Sequence, residues 1–212
     1  MSLTRGDVLL ATRSAGKLRE LRPLLEAAGF TVVDLAEHGI EEEAAEGDLE
    51  RFDSFEENAL AKARYFYEVS GGIATVADDS GLVVDALGGA PGVRSKRWSG
   101  REDLAGRALD EANNATLVAA LERAADRSAR YVCAAAFVGL DGEVVRTGET
   151  SGVLLDRPRG SGGFGYDPYF VSSELGGRTF AEVSAAEKAR VSHRGRAFRA
   201  LIEALRSGAA GG

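Results

Sequence analysis

Two adjacent carboxylates, Asp78 and Asp79, directly follow the apolar run Ile73 to Ala77. Like charges at that spacing repel, and the end of a buried strand adds a desolvation cost. A divalent cation would offset both, because magnesium takes oxygen ligands, often one or two carboxylates plus substrate phosphates. A turn in which one aspartate caps and the other is solvated accounts for the pair without a metal. Thr12-Arg13-Ser14-Ala15-Gly16-Lys17 joins an apolar run to a helical pattern. Backbone N–H groups at a helix start suit phosphate, and Lys17 adds a point charge. The segment lacks the glycine-lysine spacing of a Walker A loop, and an ordinary strand–helix turn also fits it. In Gly162-Gly163-Phe164-Gly165-Tyr166-Asp167-Pro168, glycines surround an aromatic ring and a carboxylate follows. Such a loop either tucks Phe164 into the core or offers a stacking face and an acceptor for the N–H groups of a nucleobase. Lys188 and Ser192-His193-Arg194-Gly195 add cations near the last helix. Cations for phosphates, carboxylates for a metal and an aromatic-plus-acid pair for a base together suit a nucleoside triphosphate.

These residues need positioning elements. Asp7 to Ala11 reads as a short buried strand. The helix after Gly16 carries Leu18, Leu21, Leu25 and Ala28 on one face and stops at Gly29, with Pro23 expected to kink it or delay its start. Thr31 to Val33 is a second strand. Glu41 to Glu50 is acidic and reads as a solvated loop, with a metal-facing carboxylate as the sharper reading. Ser54 and Glu57 form a capping box that opens a helix to about Val69. Ile73 to Ala77 is a strand that ends at the two aspartates, and Leu82 to Leu87 is extended again. Gly88 to Gly92 is a glycine-proline loop. Ala115 to Ala125 is helical. Arg130 to Leu140 and Glu143 to Thr150 flank Asp141-Gly142, a hairpin signal. Arg157 to Asp167 is a glycine-rich loop. Ser184 to Glu187 is a second capping box, Arg194 to Arg206 an amphipathic helix, and Gly208 to Gly212 a frayed end.

Helices and strands mix without strict alternation, which predicts an α/β protein with a mixed sheet rather than an eight-fold barrel. No linker divides the 212 residues, so residues 1–212 read as a single domain. Hydrophobic residues make up 44% and charged residues 28%, as in ordinary globular proteins. Cys133 is the one cysteine, which excludes a disulfide framework and a cysteine-based zinc site. A net charge of −7 argues against a general nucleic-acid binder. The start MSLTRGDVLLAT lacks the apolar core of a signal peptide, and no run approaches a membrane span, so a cytoplasmic protein is expected.

On these residues the chain resembles the inosine triphosphate/xanthosine triphosphate pyrophosphatase family, from about Val8 to Leu205. The matching segments are Ala11 to Lys17, Ser54 to Ala59 with Lys62-Ala63, Ala77 to Asp85 with Pro91-Gly92, Asn113-Asn114, Gly163 to Pro168 and Ser192 to Gly195. The resemblance implies an elongated mixed β-sheet with flanking helices, two lobes around a central active-site cleft, and a homodimer. It implies magnesium-dependent cleavage of deaminated purine triphosphates (ITP, dITP, XTP) between the α and β phosphates. Asp79 matches the catalytic aspartate. Thr12 to Lys17, Lys62, Ser80 and Lys188 match substrate-contacting positions, and Phe164, Gly165, Tyr166, Asp167, His193 and Arg194 match the base-recognition segments. The family's first motif commonly reads Thr-Gly-Asn-x-x-Lys, so Arg13 and Ser14 depart from it. Its metal-side glutamate sits in Glu-Thr-Gly. The present chain has Glu50-Arg51-Phe52, which makes Glu50 the second metal ligand beside Asp79, with Asp48 in reserve. A related pyrophosphatase for modified pyrimidine nucleotides, or a non-catalytic nucleotide-binding regulator, are the competing readings.

Overall fold

Alternation along β1 (Asp7–Leu10) sends Val8 and Leu10 to one face of a sheet and Leu9 to the other. Around that strand a computed structural model, describing residues 6–208, orders the chain as follows. After β1 come α1 (Ala15–Ala27), β2 (Thr31–Asp34), α2 (Phe55–Val69), β3 (Thr75–Val84) and α3 (Gly106–Ala120). Then follow β4 (Ser128–Gly139), β5 (Gly142–Leu154), β6 (Phe170–Ser172), α4 (Ala185–Val191) and α5 (His193–Arg206). The strands form one sheet in the order β2-β1-β3-β4-β5-β6. It is mixed: β1 pairs in parallel with β2 and β3, whereas β5 and β6 are antiparallel.

The chain divides into two compact units, each with its own apolar interior. Unit 1 comprises Met1–Asp79, Cys133–Gly148 and His193–Gly212. On one face of its strands, Val8, Leu10, Cys133, Ala135 and Phe137 pack under Leu21 and Leu25 of α1 and Phe198 and Leu201 of α5. On the other face, Leu9, Ala77, Ala134 and Ala136 pack under Ala59, Ala63 and Phe66 of α2. Strands covered by helices on both faces explain why their apolar runs are nearly continuous. Unit 2 comprises Ser80–Val132 and Glu149–Ser192. Its interior gathers Leu82, Val84, Leu117, Tyr131, Leu154, Phe170 and Phe180, with the Tyr131 and Phe170 rings edge to face at 4.7 Å.

Several boundaries differ from expectation. β3 does not stop at Ala77 but runs through both aspartates to Val84, because distant cations satisfy the buried charge, as described below. α3 starts at Gly106, well before Ala115, and ends at Ala120 rather than Ala125. Its first residue has φ +55° and its N-cap, Ala105, offers no side-chain bond, so no capping residue marks the start. α1 is continuous through Pro23 from an N-cap at Ser14, so the proline does not delay its start. Part of the acidic stretch forms a 3-10 turn, Ala44–Asp48, closed by reciprocal bonds between Glu43 and Glu46. Residues 209–212 of the expected frayed end lie outside the described residues. No helix among the described residues is long and apolar enough to cross a membrane.

Gly148 of β5 sits against the first turn of α5. A Cβ there would stand 2.5 Å from the Ala197 N and 2.5 Å from the His193 O, both backbone atoms. The same addition at Gly47 meets nothing within 4 Å. Gly148→Ala is therefore expected to cost about 1–3 kcal/mol in urea unfolding. Gly47→Ala should stay within about 0.5 kcal/mol of the parent. Equal midpoints for the two variants would show that α5 can move away from β5 freely.

Candidate active site

In unit 1 the site is built on β3. Asp78 is 1% exposed and Asp79 4%, so both carboxylates need partners. Asp78 receives them from two helices. The Lys17 Nζ of α1 lies 3.0 Å from its Oδ2, and the Arg194 Nε of α5 lies 3.4 Å from the same oxygen. Arg194 also donates from Nη1 to the Glu20 Oε2 at 2.9 Å. The buried Cys133 thiol sits 3.9 Å from the Asp78 Oδ2. Burial pushes the Asp78 pKa up, but Lys17, Arg194 and Lys62 outweigh it and bring it down to about 2. Burial opposes the Arg194 charge too, yet Glu20 and Asp78 outweigh it and raise its pKa.

Asp79 has a different environment. Burial dominates and holds its pKa above the usual carboxylate value, against the pull of Lys17 and Lys62. Its Oδ2 accepts a bond from the Asn58 Nδ2 at 3.0 Å. Asn58 lies in the first turns of α2, where Ser54 caps the helix by accepting the Glu57 N–H. One turn on, Lys62 donates to the Asp78 backbone O at 2.8 Å and to the Glu50 Oε1. Burial works against the Lys62 charge, but Glu50, Asp78 and Asp79 together raise its pKa. Three cations (Lys17, Lys62, Arg194) thus face four carboxylates (Asp78, Asp79, Glu50, Glu20).

The strand–helix turn serves α1. The Ser14 Oγ accepts the Lys17 N–H at 3.4 Å as N-cap, and the buried Thr12 Oγ1 accepts the Ser14 N–H at 3.2 Å. Gly16 is buried and Ala15 exposed. Arg13, expected among the substrate contacts, sends its guanidinium to Glu46 and to the carbonyls of Ile40 and Glu41. Asp48 lies exposed at the end of the 3-10 turn. His193 is buried at the first residue of α5.

Unit 2 holds the glycine-rich loop and Lys188. Asp167 is 2% exposed; its Oδ2 accepts the Phe164 N–H at 2.8 Å and pairs with the Lys188 Nζ. That buried oxygen, expected to read a base, is engaged by the loop and the lysine. The Lys188 Nζ stands 5.1 Å from the centroid of the half-buried Phe164 ring and 5.3 Å from that of Phe180. An ammonium over aromatic faces is attracted by their quadrupoles. Gly163 has φ +70°, and any Cβ there would run into the Asp167 carboxylate. Ser80 is half-buried in β3, next in sequence to Asp79.

Of the residues that hold this loop, Asn114 stood in a matching segment with no role given, and Asp110 escaped the sequence reading. The Asp110 Oδ2 accepts the Gly165 N–H at 2.8 Å, and the Asn114 Nδ2 donates to the Gly165 O at 2.9 Å. Both stand on α3 four positions apart, a same-face spacing that could have flagged them had the helix start been legible. The Tyr166 Oη donates to the Ser95 O at 2.7 Å, so Tyr166 anchors the loop.

Among the described residues no group of three or more His, Cys, Asp or Glu is arranged to hold a metal ion. Asp79 and Glu50 nevertheless offer the hard oxygen donors that suit magnesium, which completes its shell with water and phosphate oxygens.

Comparison with known proteins bears on this geometry. A family model described as the Ham1 family matches residues 8–204. A dITP/XTP pyrophosphatase from Mycolicibacterium paratuberculosis is 51% identical over 203 residues, covering 93% of this chain and 95% of that one. One from Thermus thermophilus is 44% identical over 204 residues, covering 95% and 92%. A solved HAM1 protein structure from Coxiella burnetii superposes with a TM-score of 0.79 at 33% identity, covering 94% of this chain and 98% of that one.

The two aspartates should separate on mutation. Asp78→Asn leaves Lys17 and Arg194 facing a neutral group, and removing one partner of a buried pair costs about 3–5 kcal/mol. Because the Asp78 pKa is lowered, the stability it supplies is present above the unfolded aspartate's value and fades as pH falls toward about 2. Asp79→Asn removes a charge that burial disfavours, so its urea midpoint should equal or exceed the parent's. Turnover should fall at least about 10²-fold in this variant. Parent-like turnover in Asp79→Asn, or a parent-like midpoint in Asp78→Asn, would reverse these assignments.

Proposed function

The chain belongs to the Ham1 family, and we propose that it hydrolyses deaminated purine nucleoside triphosphates (ITP, dITP, XTP) to the monophosphate and pyrophosphate. What carries this reading is Asp79, a buried carboxylate of raised pKa beside Lys17 and Lys62, in a chain half identical to dITP/XTP pyrophosphatases. A carboxylate shifted upward is a better proton acceptor near neutral pH than an ordinary one. Asp79 takes a proton from water, whose oxygen attacks the α phosphorus. The bond to the bridging oxygen then breaks, and pyrophosphate leaves with the electron pair. Lys17 and Lys62 offset the negative charge of the phosphates. Asp79 and Glu50 would hold magnesium, which when bound neutralises phosphate charge and polarises the attacked phosphorus. A homodimer and a cytoplasmic place of action belong to the same proposal.

Base selection is assigned to Phe164 and Lys188. The ring offers a stacking face, and the ammonium beside it carries donors and no acceptor. A 6-oxo group accepts from such a lysine, whereas the 6-amino group of adenine meets a donor with a donor. Mismatches of this kind leave buried polar groups unpaired and cost orders of magnitude in rate.

With ITP and a divalent ion, phosphorus NMR should show IMP and pyrophosphate in equal amounts, and chelation should stop turnover reversibly. IDP and free phosphate as products would overturn the proposal. Lys188→Met keeps the aliphatic stem and removes the donors. It should lower the ITP-to-ATP ratio of kcat/KM by about 10²-fold. An unchanged ITP-to-ATP ratio would exclude Lys188 as the selecting group.

A further inference from the structure

Residues 41–50 carry six carboxylates in ten positions, a run expected to repel itself and stay solvated. Most of it is exposed, yet Ala44–Asp48 forms a 3-10 turn, and Arg13 reaches into it. Its Nε donates to the Glu46 Oε2 at 3.1 Å and its Nη2 to the Glu46 Oε1 at 2.7 Å, a bidentate fork. Nη1 donates to the Ile40 O at 2.8 Å and Nη2 to the Glu41 O at 2.9 Å. The guanidinium lies 5.9 Å from the Phe66 ring centroid. The bond to Glu46, against some burial, raises the Arg13 pKa; burial of Glu46 is in turn outweighed by Arg13, and its pKa falls. The Glu46 Oε1 also accepts the Glu43 N–H at 3.2 Å, which closes the 3-10 turn.

The other end of the segment is tied as well. Leu49 packs on the cluster of Ala59, Ala63 and Phe66. Asn58 accepts the Phe52 N–H at 2.9 Å, donates to the Phe52 O at 3.1 Å and donates to Asp79. Glu50 therefore sits between two brackets, Arg13–Glu46 before it and Asn58–Phe52 after it, and its carboxylate meets Lys62.

We infer that Arg13 is a positioning residue: by clasping Glu46 and the carbonyls of Ile40 and Glu41, it sets Glu50 beside Lys62 and the two aspartates, and it acts on the reaction through Glu50 rather than on the phosphates. The role of Glu50 rests on the function proposed above. The fork geometry requires a guanidinium, and a lysine's single ammonium cannot reproduce it.

The test compares the parent with Arg13→Ala, Arg13→Lys, Glu46→Gln, the Arg13→Ala/Glu46→Gln double variant and the swap Arg13→Glu/Glu46→Arg. Amide hydrogen exchange of residues 41–52 is read in metal-free protein, and kcat, KM and the magnesium half-saturation are read with ITP. Arg13→Ala, Arg13→Lys and Glu46→Gln are each expected to speed exchange in that segment and to raise the magnesium half-saturation about 10-fold, the scale for losing a partner that orients a ligand. KM for ITP at saturating magnesium should stay within about twofold. The double variant should be no worse than either single one, and the swap should regain part of the protection. If Glu46→Gln behaves as the parent while Arg13→Ala raises KM, Arg13 acts on the phosphates and the inference falls. Unchanged exchange in Arg13→Ala also overturns it. A parent protein that cleaves no ITP overturns the functional reading and the catalytic half of this inference, and the exchange result then decides the clasp on its own.

Discussion

The buried carboxylate of Asp78 is the interaction on which unit 1 depends. A charge this deep in a strand is tolerated only with close partners, and the partners come from three helices. α1 sends Lys17 and α5 sends Arg194 to the Asp78 carboxylate, while α2 sends Lys62 to its backbone carbonyl. Three helices are thereby tied to one residue of β3. The apolar faces of α1, α2 and α5 supply the packing energy, and the Asp78 network sets which turn of each helix lies over the strand. The close approach at Gly148 has the same effect on the first turn of α5, which carries Arg194.

Adjacent positions on one strand point to opposite faces, and the two aspartates use that alternation. Asp78 meets cations directly and is held ionised well below the usual range. Asp79 accepts a bond from an amide, and burial outweighs the pull of Lys17 and Lys62, so it is shifted upward. One carboxylate organises helices, and its neighbour carries a charge that burial disfavours. In unit 2 the pairing of Asp167 with Lys188 joins the two roles: the ion pair orders the loop through the Phe164 N–H and holds the lysine beside the ring.

Local chemistry was legible in the sequence wherever it was carried by neighbouring residues. Ser54 and Ser184 cap the helices that their motifs announce, Asp141-Gly142 turns a hairpin, and the apolar stripe of the last helix faces inward. What stayed hidden depends on partners far away in the chain. β3 seemed to end at Ala77 because two aspartates look like a break. The cations that let the strand continue lie 61 and 116 positions away, in Lys17 and Arg194. Arg13 sits in a phosphate-like turn, and its bond to Glu46, 33 positions on, leaves no local trace. α3 was shortened because its start has no capping side chain, and the loop contact of Asp110 went with it. The pairing of Asp167 with Lys188 likewise leaves no local trace.

The contact between Glu50 and Lys62 has a consequence for loading. Each group is the natural counter-ion of one half of the proposed substrate complex: a carboxylate for the metal, an ammonium for the phosphates. At rest they neutralise each other. An incoming free triphosphate would compete with Glu50 for the lysine; a lone divalent ion would compete with Lys62 for the glutamate. A metal-chelated triphosphate would offer a counter-ion to each at once. Under the proposed function, the pair would favour a metal-chelated triphosphate over stray anions or cations taken singly.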